Sequence, residues 1–572
     1  MFIKYQYCIE YYPFLGGNSM RLRSHYPKTL TATILACVFF TTVGLPALAQ
    51  SENADHSAQT DDRANSVVEN LEDLDISDKP EQALRAEQAS AATLSNVPLN
   101  RLPLNISVIP RGILNLENAT STRAIIEQSG SVITGTGHSR TFERVFIRGF
   151  SADAELNGAL KNGIPFYGVD SPVADPSALA SVEVLKGSAG LLYGSAQPGG
   201  LINYVYKKPQ KDAAYSISTT FGSFNTRRAD VDATGSIAGS DKIAYRFTLG
   251  LEDSESWQDY VYNEKVAPTL QLRAELTDNT TLSLLAERIR IDNNPAPADT
   301  LLDAEANIIE LPIETYLGHS NDFAEETTEQ FQLQLDHRFS NAVALVAQVG
   351  SNTTKRDMGN TGYNSFTGPV DEEGNVGRLV FDQRRTSDGQ YAAVHLTLDK
   401  TIGDFEHRAL LGLNYSKNNM RNHNAFNIQL PEAYQVMATP ITIYDPIPGT
   451  YPHRTDFEDS PPFAILDWTN TDKGFNVQDL VTYTPWNLHM LLGVRYGIFE
   501  TQYNSDTVWS GEPRDRWVPS DNDAWIPRVG FVWDTTPSVS LYASYGESYR
   551  NQFGQARGQG GSFDGPGDLP AD

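Results

Sequence analysis

From about residue 212 onward, apolar and polar side chains alternate in runs close to ten residues long. In the run 243–251, Ile243, Tyr245, Phe247, Leu249 and Leu251 share one parity, and Ala244, Arg246, Thr248 and Gly250 share the other. The same alternation recurs at Leu270, Leu272 and Ala274, at Phe331, Leu333 and Leu335, at Val343, Leu345, Ala347 and Val349, and at Ala409, Leu411, Leu413 and Tyr415. It returns at Leu488, Met490, Leu492, Val494 and Tyr496 and at Val539, Leu541, Ala543 and Tyr545. Successive side chains of a strand point to opposite faces, so each run predicts a strand with one apolar and one polar face. A soluble sandwich turns such apolar faces inward; a transmembrane barrel turns them outward to lipid and keeps a polar lumen. Strand length and the aromatics at run ends (Tyr415, Tyr483, Trp486, Tyr496, Trp533, Tyr545) favour the barrel. So does the alternation of tight connections, as at Asp278-Asn279, with long ones at 292–327, 352–388, 417–470 and 502–522.

Between Val97 and Pro209 the texture differs. Short β-runs (106–109, 145–147, 182–185 and 201–205) are separated by Gly, Pro and Asn turns, which predicts a small mixed α/β domain. The densest stretch is Ser181–Pro209, where Lys186-Gly187, Tyr193-Gly194 and Pro198-Gly199-Gly200 interrupt two strand-like runs. Glycines in this arrangement mark tight turns or close approach of backbones.

Composition narrows the class. Charged residues make up 20% of the 572, and only one long apolar run exists, near the N-terminus, so the chain is no bundle of membrane helices. That run follows Arg21, Arg23 and Lys28, covers 30–45 and ends in Ala47-Leu48-Ala49, the pattern of a secretory signal peptide cut before Gln50. Residues 1–49 are therefore expected to be removed, and residues 1–19 read as a wrongly extended start ahead of Met20. Cys8 and Cys37 both precede the cut, which excludes disulfides and thiolate chemistry from the mature chain. The formal charge of −27 becomes −30 after the leader's four basic and one acidic residues are lost. Such a charge argues against nucleic-acid binding. Residues 50–96, acidic and without aromatics, are expected to form a flexible tail. The ten histidines show no metal-ligand spacing, Gly187–Gly190 lacks the Lys-Ser/Thr of a phosphate loop, and no catalytic set emerges.

Residues 98 to 572 resemble the TonB-dependent outer-membrane siderophore receptors of ferrichrome type. Phe146-Ile147-Arg148-Gly149-Phe150, Lys161-Asn162-Gly163-Ile164-Pro165, Leu192-Tyr193-Gly194 and Pro198-Gly199-Gly200-Leu201-Ile202-Asn203 match elements of that family's plug. Ala244-Tyr245-Arg246, the PITIYDP run 440–446, Gly493-Val494-Arg495-Tyr496 and 541–549 resemble its barrel motifs. The resemblance implies a mainly β fold: a transmembrane antiparallel β-barrel with an N-terminal α/β plug domain inside the lumen. It implies a periplasmic tail at 50–96, a plug at 97–210 and a barrel at 211–572. It further implies a monomer in the lipid of a Gram-negative outer membrane that imports ferric siderophores, energised by TonB through the proton gradient, with iron carried by the ligand and no cofactor or metal held by the protein. Uptake of another large ligand, cobalamin or a glycan, and a passive porin are the alternatives.

The resemblance also assigns roles. Arg148 and Lys186 would pair with wall carboxylates, of which Glu547 is one. Phe166, Tyr167, Ala154 and Glu155 would face the ligand, with Tyr363, Tyr434, Tyr444 and Tyr451 available in the long loops. Gly149, Phe150, Gly187, Tyr193, Gly194, Pro198, Gly199 and Gly200 would shape the plug. Two positions depart from the family pattern: Ala180-Ser181 replaces its usual Glu-Arg, and Ser188 its usual Pro. No segment of the tail matches the one that TonB grips; Val67-Val68-Glu69 and Leu74-Asp75-Ile76 are the nearest. About 22 strands are expected of a complete barrel and roughly thirteen are counted here, so the reading expects about a third of the barrel to be absent from this chain.

Overall fold

The computed structural model describes residues 84, 86, 88–89, 97–136, 143–152, 154, 157–169, 174–237, 239–295, 301–363, 369–426, 441–450, 464–507, 518–536 and 538–549. The expected leader, nearly all of the acidic stretch 50–96 with both candidate TonB segments, Glu155, Tyr434, Tyr451 and residues 550–572 lie outside these.

The alternating segments form one antiparallel sheet of thirteen strands joined in sequence order. It begins with Ala214–Phe221, Arg227–Ser236, Ile243–Glu255, Tyr262–Thr277 and Thr280–Asn293. It continues through Phe323–Ser340, Val343–Tyr363, Arg378–Ile402, Phe405–Phe426, Ala464–Tyr483, Leu488–Thr507, Val518–Thr536 and Val539–Gly546. The two-residue turns 278–279, 341–342 and 403–404 lie at one end, and the chain leaves strands for its long connections, after Asn293, Tyr363, Phe426 and Thr507, at the other.

Several strands are twice the length that alternation predicts: Arg378–Ile402 has 25 residues and Phe405–Phe426 has 22. Much of the expected loops 352–388 and 417–470 is strand. The reason is physical. An apolar face is required only where lipid touches the wall. Beyond that band both faces are polar, so the strand continues while its period-two signal vanishes. The band itself is marked by exposed Leu270, Phe331, Val349, Val394, Leu411, Leu413, Val477, Leu492, Val529 and Leu541. Aromatics edge it. Phe405 and Tyr483 stand 4.9 Å apart near the short turns, and Tyr496 and Trp525 5.0 Å apart nearer the long loops. From Phe405 to Tyr415 along one tilted strand this band is about 25 Å tall, the thickness a bilayer core requires.

The N-terminal domain is a five-stranded mixed sheet in the order Asn105–Pro110, Leu179–Lys186, Gly200–Tyr206, Ala159–Lys161, Ile164–Pro165. The third and fourth of these run parallel, and the other neighbours are antiparallel. A three-stranded sheet (Val132–Thr136, Glu143–Ile147, Phe150–Ser151) and short helices Arg111–Leu116, Thr122–Ile126 and Gly190–Tyr193 complete it. Ile126, Ile147, Leu179, Val182, Val184 and Ile202 share its core with Leu285 of the barrel wall, so the domain is packed against the inward face of the large sheet. Gly200 has φ +133° and lies so close to the Leu185 carbonyl that a Cβ would collide with it; Gly194, at φ +75°, is likewise closed in by the Asp472 carboxylate. Both glycines serve close approach, within the plug in one case and against the wall in the other.

Candidate functional site

Three polar seams hold the plug to the wall. In the first, Lys161 ends a plug strand and its ammonium meets Glu287 of strand Thr280–Asn293 at 2.5 Å, both side chains being fully buried. The Tyr206 hydroxyl donates to the same carboxylate at 2.8 and 2.9 Å, and Thr269 donates to it at 3.3 Å. The face of Phe166 lies 4.1 Å from the Lys161 ammonium. Desolvation pushes the Lys161 ammonium below its ordinary pKa despite the opposing pull of Glu287.

The second seam has the opposite polarity. Asp175 of the plug caps the turn at Pro176–Ala178 by accepting from the Ser177 amide at 3.0 Å. Its carboxylate also receives Arg228 at 2.7 and 3.3 Å and Lys265 at 2.9 Å, both from the wall. Burial alone would raise this carboxyl, but Lys265 and Arg228 hold it well below the usual carboxylate range. Glu252 joins the cluster, 2.9 Å from Arg228 and 3.3 Å from Lys265.

The third seam lies beside the turn that follows Gly190–Tyr193. The Ser195 amide donates to Asp472 at 2.8 Å, and Asp472 pairs with Arg495, which also donates to Asn414 at 2.6 Å. The Ala196 amide donates to the Tyr549 carbonyl at 3.0 Å, and the Ser188 hydroxyl donates to the Glu547 carbonyl. Ser188, which departs from the family pattern, thus supplies a wall contact that proline could not.

The expected ion pairs form elsewhere. Arg148 is exposed, with a positive φ of 53°. Lys186 donates to Ser107 at 2.9 Å, and the Glu547 carboxylate accepts from Tyr545 at 2.5 Å. Burial and then the neighbouring Arg148 charge lower the Lys186 pKa. Like charges sit together there, and neither is brought to Glu547. The buried plug-to-wall pairs use Lys161 and Asp175 instead. Sequence reasoning missed Glu287, Arg228 and Lys265, although each is a charge on the inward parity of its strand.

Of the four expected ligand-facing residues, the three that are described, Phe166, Tyr167 and Ala154, are buried. Phe166 is 3% exposed and packs in the plug core. Tyr167, also 3% exposed, is clamped through its main chain: its amide donates to Asn352 at 3.3 Å, and its carbonyl accepts from Asn352 and from Ser387, the latter at 3.2 Å. Ala154 is 7% exposed in the plug core. As seated, none of the three offers a surface toward the long loops. Arg148 and Gly149 form an exposed hairpin turn, Phe150 begins the strand after it, and Gly199 backs onto the Ile147 carbonyl. Tyr193 is buried against Leu160, Leu192 and Leu201, Gly187 donates to the Gly199 carbonyl at 2.8 Å, and Pro198 is exposed in the same turn.

At the long-loop end, three connections fold on one another. Leu301, Val370, Val376, Ile441 and Ile443 share a small core, with Ile309, Leu311 and Leu317 against it. Asn375–Val376 pairs with Ile441–Thr442 as two short antiparallel strands, so the PITIYDP motif serves as a clasp between loops. Arg378 donates to the carbonyls of Gly318 and Pro448 at 3.0 and 3.1 Å. Tyr316, His319, Asp322 and Thr361 form a buried hydrogen-bonded group that ties the first loop to the wall.

A plug seated by buried ion pairs against the inward face of a lipid-facing β-barrel wall defines an outer-membrane barrel protein with an internal plug domain. Residues 270–571 match the family described as TonB dependent receptor-like, beta-barrel, and residues 98–201 match the TonB-dependent Receptor Plug Domain. The chain belongs to the TonB-dependent receptors, transport receptors of the Gram-negative outer membrane. It is 26% identical over 486 residues to the metal-pseudopaline receptor of Pseudomonas aeruginosa, and 23% identical over 508 residues to the ferrichrome outer membrane transporter/phage receptor of Escherichia coli. In both comparisons 82% of this chain is covered, and it spans 64% of the relative's length. Among solved structures it resembles the siderophore receptor PiuA of Acinetobacter baumannii, with a TM-score of 0.72 at 21% identity, covering 82% of this chain and 68% of the other. The open form of the ferric-catecholate import receptor Fiu of Escherichia coli gives 0.71 at 18%, covering 82% and 73%.

Proposed function

We propose that this chain forms the plug and wall of an active importer of ferric siderophores, energised by TonB from the inner-membrane proton gradient. The observation that carries the reading is the plug itself, a folded domain held against the inward face of the wall by buried charge pairs as well as by apolar contacts such as those of Val97 and Leu102 with Leu480 and Leu491. Buried charges have a property that suits a gate: each pair is held firmly while closed, yet each partner can be exchanged for water once the plug shifts. A dry apolar seam would lack such replacement partners. Cargo arrives from the long-loop side, its binding alters the plug, and TonB draws on the tail that precedes Val97 by adding a strand to it. The protein carries out no bond chemistry and holds iron only through the chelating ligand. Its relatives include receptors for ferrichrome, ferrioxamine and metal-pseudopaline, which agrees with a chelate as cargo.

The test is uptake of iron-55 supplied as ferric siderophore by an outer-membrane receptor-deficient Gram-negative host expressing the chain. Uptake that depends on the chain and stops when the proton gradient is collapsed is expected. Uptake that persists without the gradient would instead mark a passive pore.

A further inference from the structure

The outer, lipid-facing side of the wall carries charge inside its apolar band. Parity sets the face. Leu398, Leu411 and Val477 are exposed on it, and Lys400, His407, Ala409 and Asp479 share their parity on the same three strands. Register sets the depth. One cross-strand row reads Leu398, Ala409, Asp479, Leu492 and Val529. The next row toward the short turns reads Lys400, His407, Val481, Met490 and Phe531. The Phe405–Tyr483 pair that edges the band follows in the row after that. Every other member of the Asp479 row is apolar. A carboxylate facing lipid there is costly, and ionisable residues at membrane depth mark function.

Only one oxygen of Asp479 is engaged. Its Oδ2 meets His407 Nδ1 at 2.8 Å, while Oδ1 has no partner, and the side chain is 28% exposed. Rotation about χ2 exchanges the two oxygens. Lys400 stands directly across from His407, is exposed, and pairs with no described residue. A cation and an anion thus flank His407 on strands two spacings apart, about 10 Å. Tyr483 and Trp486 close the group on the short-turn side, their rings 5.5 Å apart in edge contact. Trp486 is 63% exposed, as aromatics at a membrane–water interface are. Short turns of such barrels face the periplasm, which sets this group at the headgroup border of the periplasmic leaflet.

We infer that this patch binds a zwitterionic phospholipid whose headgroup joins a phosphate to a primary ammonium. The ammonium donates to Asp479, the phosphate accepts from Lys400, and His407 positions the carboxylate between them. An extended phosphoethanolamine group with a hydrogen bond at each end spans about 10 Å, the separation of the two strands. Ala409 leaves a gap beside Asp479 for the headgroup, and the exposed Leu411 and Val477 beyond it meet the acyl chains. The patch lies on the face of the wall opposite the plug, so it is independent of cargo.

The full chain in detergent would be given equal amounts of phosphatidylethanolamine, phosphatidylcholine and phosphatidylglycerol with matched acyl chains, and the lipid retained would be read by native mass spectrometry. Phosphatidylethanolamine should be retained at least about fivefold in preference to either competitor, because choline has no N–H to donate and glycerol no cation. Asp479→Leu should bring the preference over phosphatidylcholine to within about twofold. Lys400→Leu, a change at an exposed position, should weaken retention of both lipids about fivefold. Equal retention of the three lipids, a preference for phosphatidylglycerol, or undiminished retention in either leucine variant with the parent's β-sheet circular dichroism would overturn the inference. So would a lipid-free particle of twice the chain's mass that Asp479→Leu returns to a single chain, which would mark the patch as a contact between copies.

Discussion

Replacing Glu287 by Gln tests whether the plug is latched by charge. The substitution keeps the shape and removes the partner of a fully buried ammonium. Breaking a buried pair by removing one member costs about 3–5 kcal/mol, because the other charge is left uncompensated. The Phe166 ring, 4.1 Å from the Lys161 ammonium, offsets about 1–2 kcal/mol of that. A net loss of about 2–3 kcal/mol remains, roughly a hundredfold in the equilibrium between seated and loosened plug. No cysteine follows Cys37, so an introduced Ser181→Cys, at a site only 1% exposed, reports the loosened state by its maleimide labelling rate. Glu287→Gln should raise that rate about a hundredfold. The double change Lys161→Met with Glu287→Leu removes both charges and should return the rate to within about tenfold of the parent. Labelling of Glu287→Gln no faster than the parent would refute the latch, and a double variant as fast as the single would show that lost packing, not charge, is responsible.

Three further outcomes follow from the same seams. Asp175→Asn leaves Arg228 and Lys265 facing Glu252 and Asp230 alone, and should lower the plug's urea midpoint by the equivalent of about 2–3 kcal/mol. Burial, then Arg111, depress Lys207 from its ordinary 10.5 to about 8 even though it lies 2.7 Å from Asp232. Between those two values the unfolded chain binds more protons than the folded one, so stability should rise from about pH 8 to 10.5 and be lost as pH falls. The effect is at most about 3 kcal/mol, and Lys207→Met should flatten the measured profile in that window. Gly200→Ala places a Cβ against the Leu185 carbonyl at a φ of +133°, and should abolish plug protection against proteolysis while the barrel's β-sheet dichroism remains.

The barrel was legible because lipid imposes alternation, and only as far as lipid reaches. Leu411, Leu413 and Tyr415 announce their strand, whereas Asn419, Arg421 and His423 continue it with nothing apolar to mark them. The plug was legible through its glycines, since Gly194 and Gly200 occupy positions that a side chain would fill. Its charges were harder. Arg148 and Lys186 fall on family motifs, yet the first lies on an exposed turn and the second bonds to Ser107, because an ion pair needs a partner at the right height on another element. That height is set by sheet register, which no local pattern encodes. Lys161 finds Glu287 across 126 positions of sequence, and Asp175 finds Lys265 across ninety.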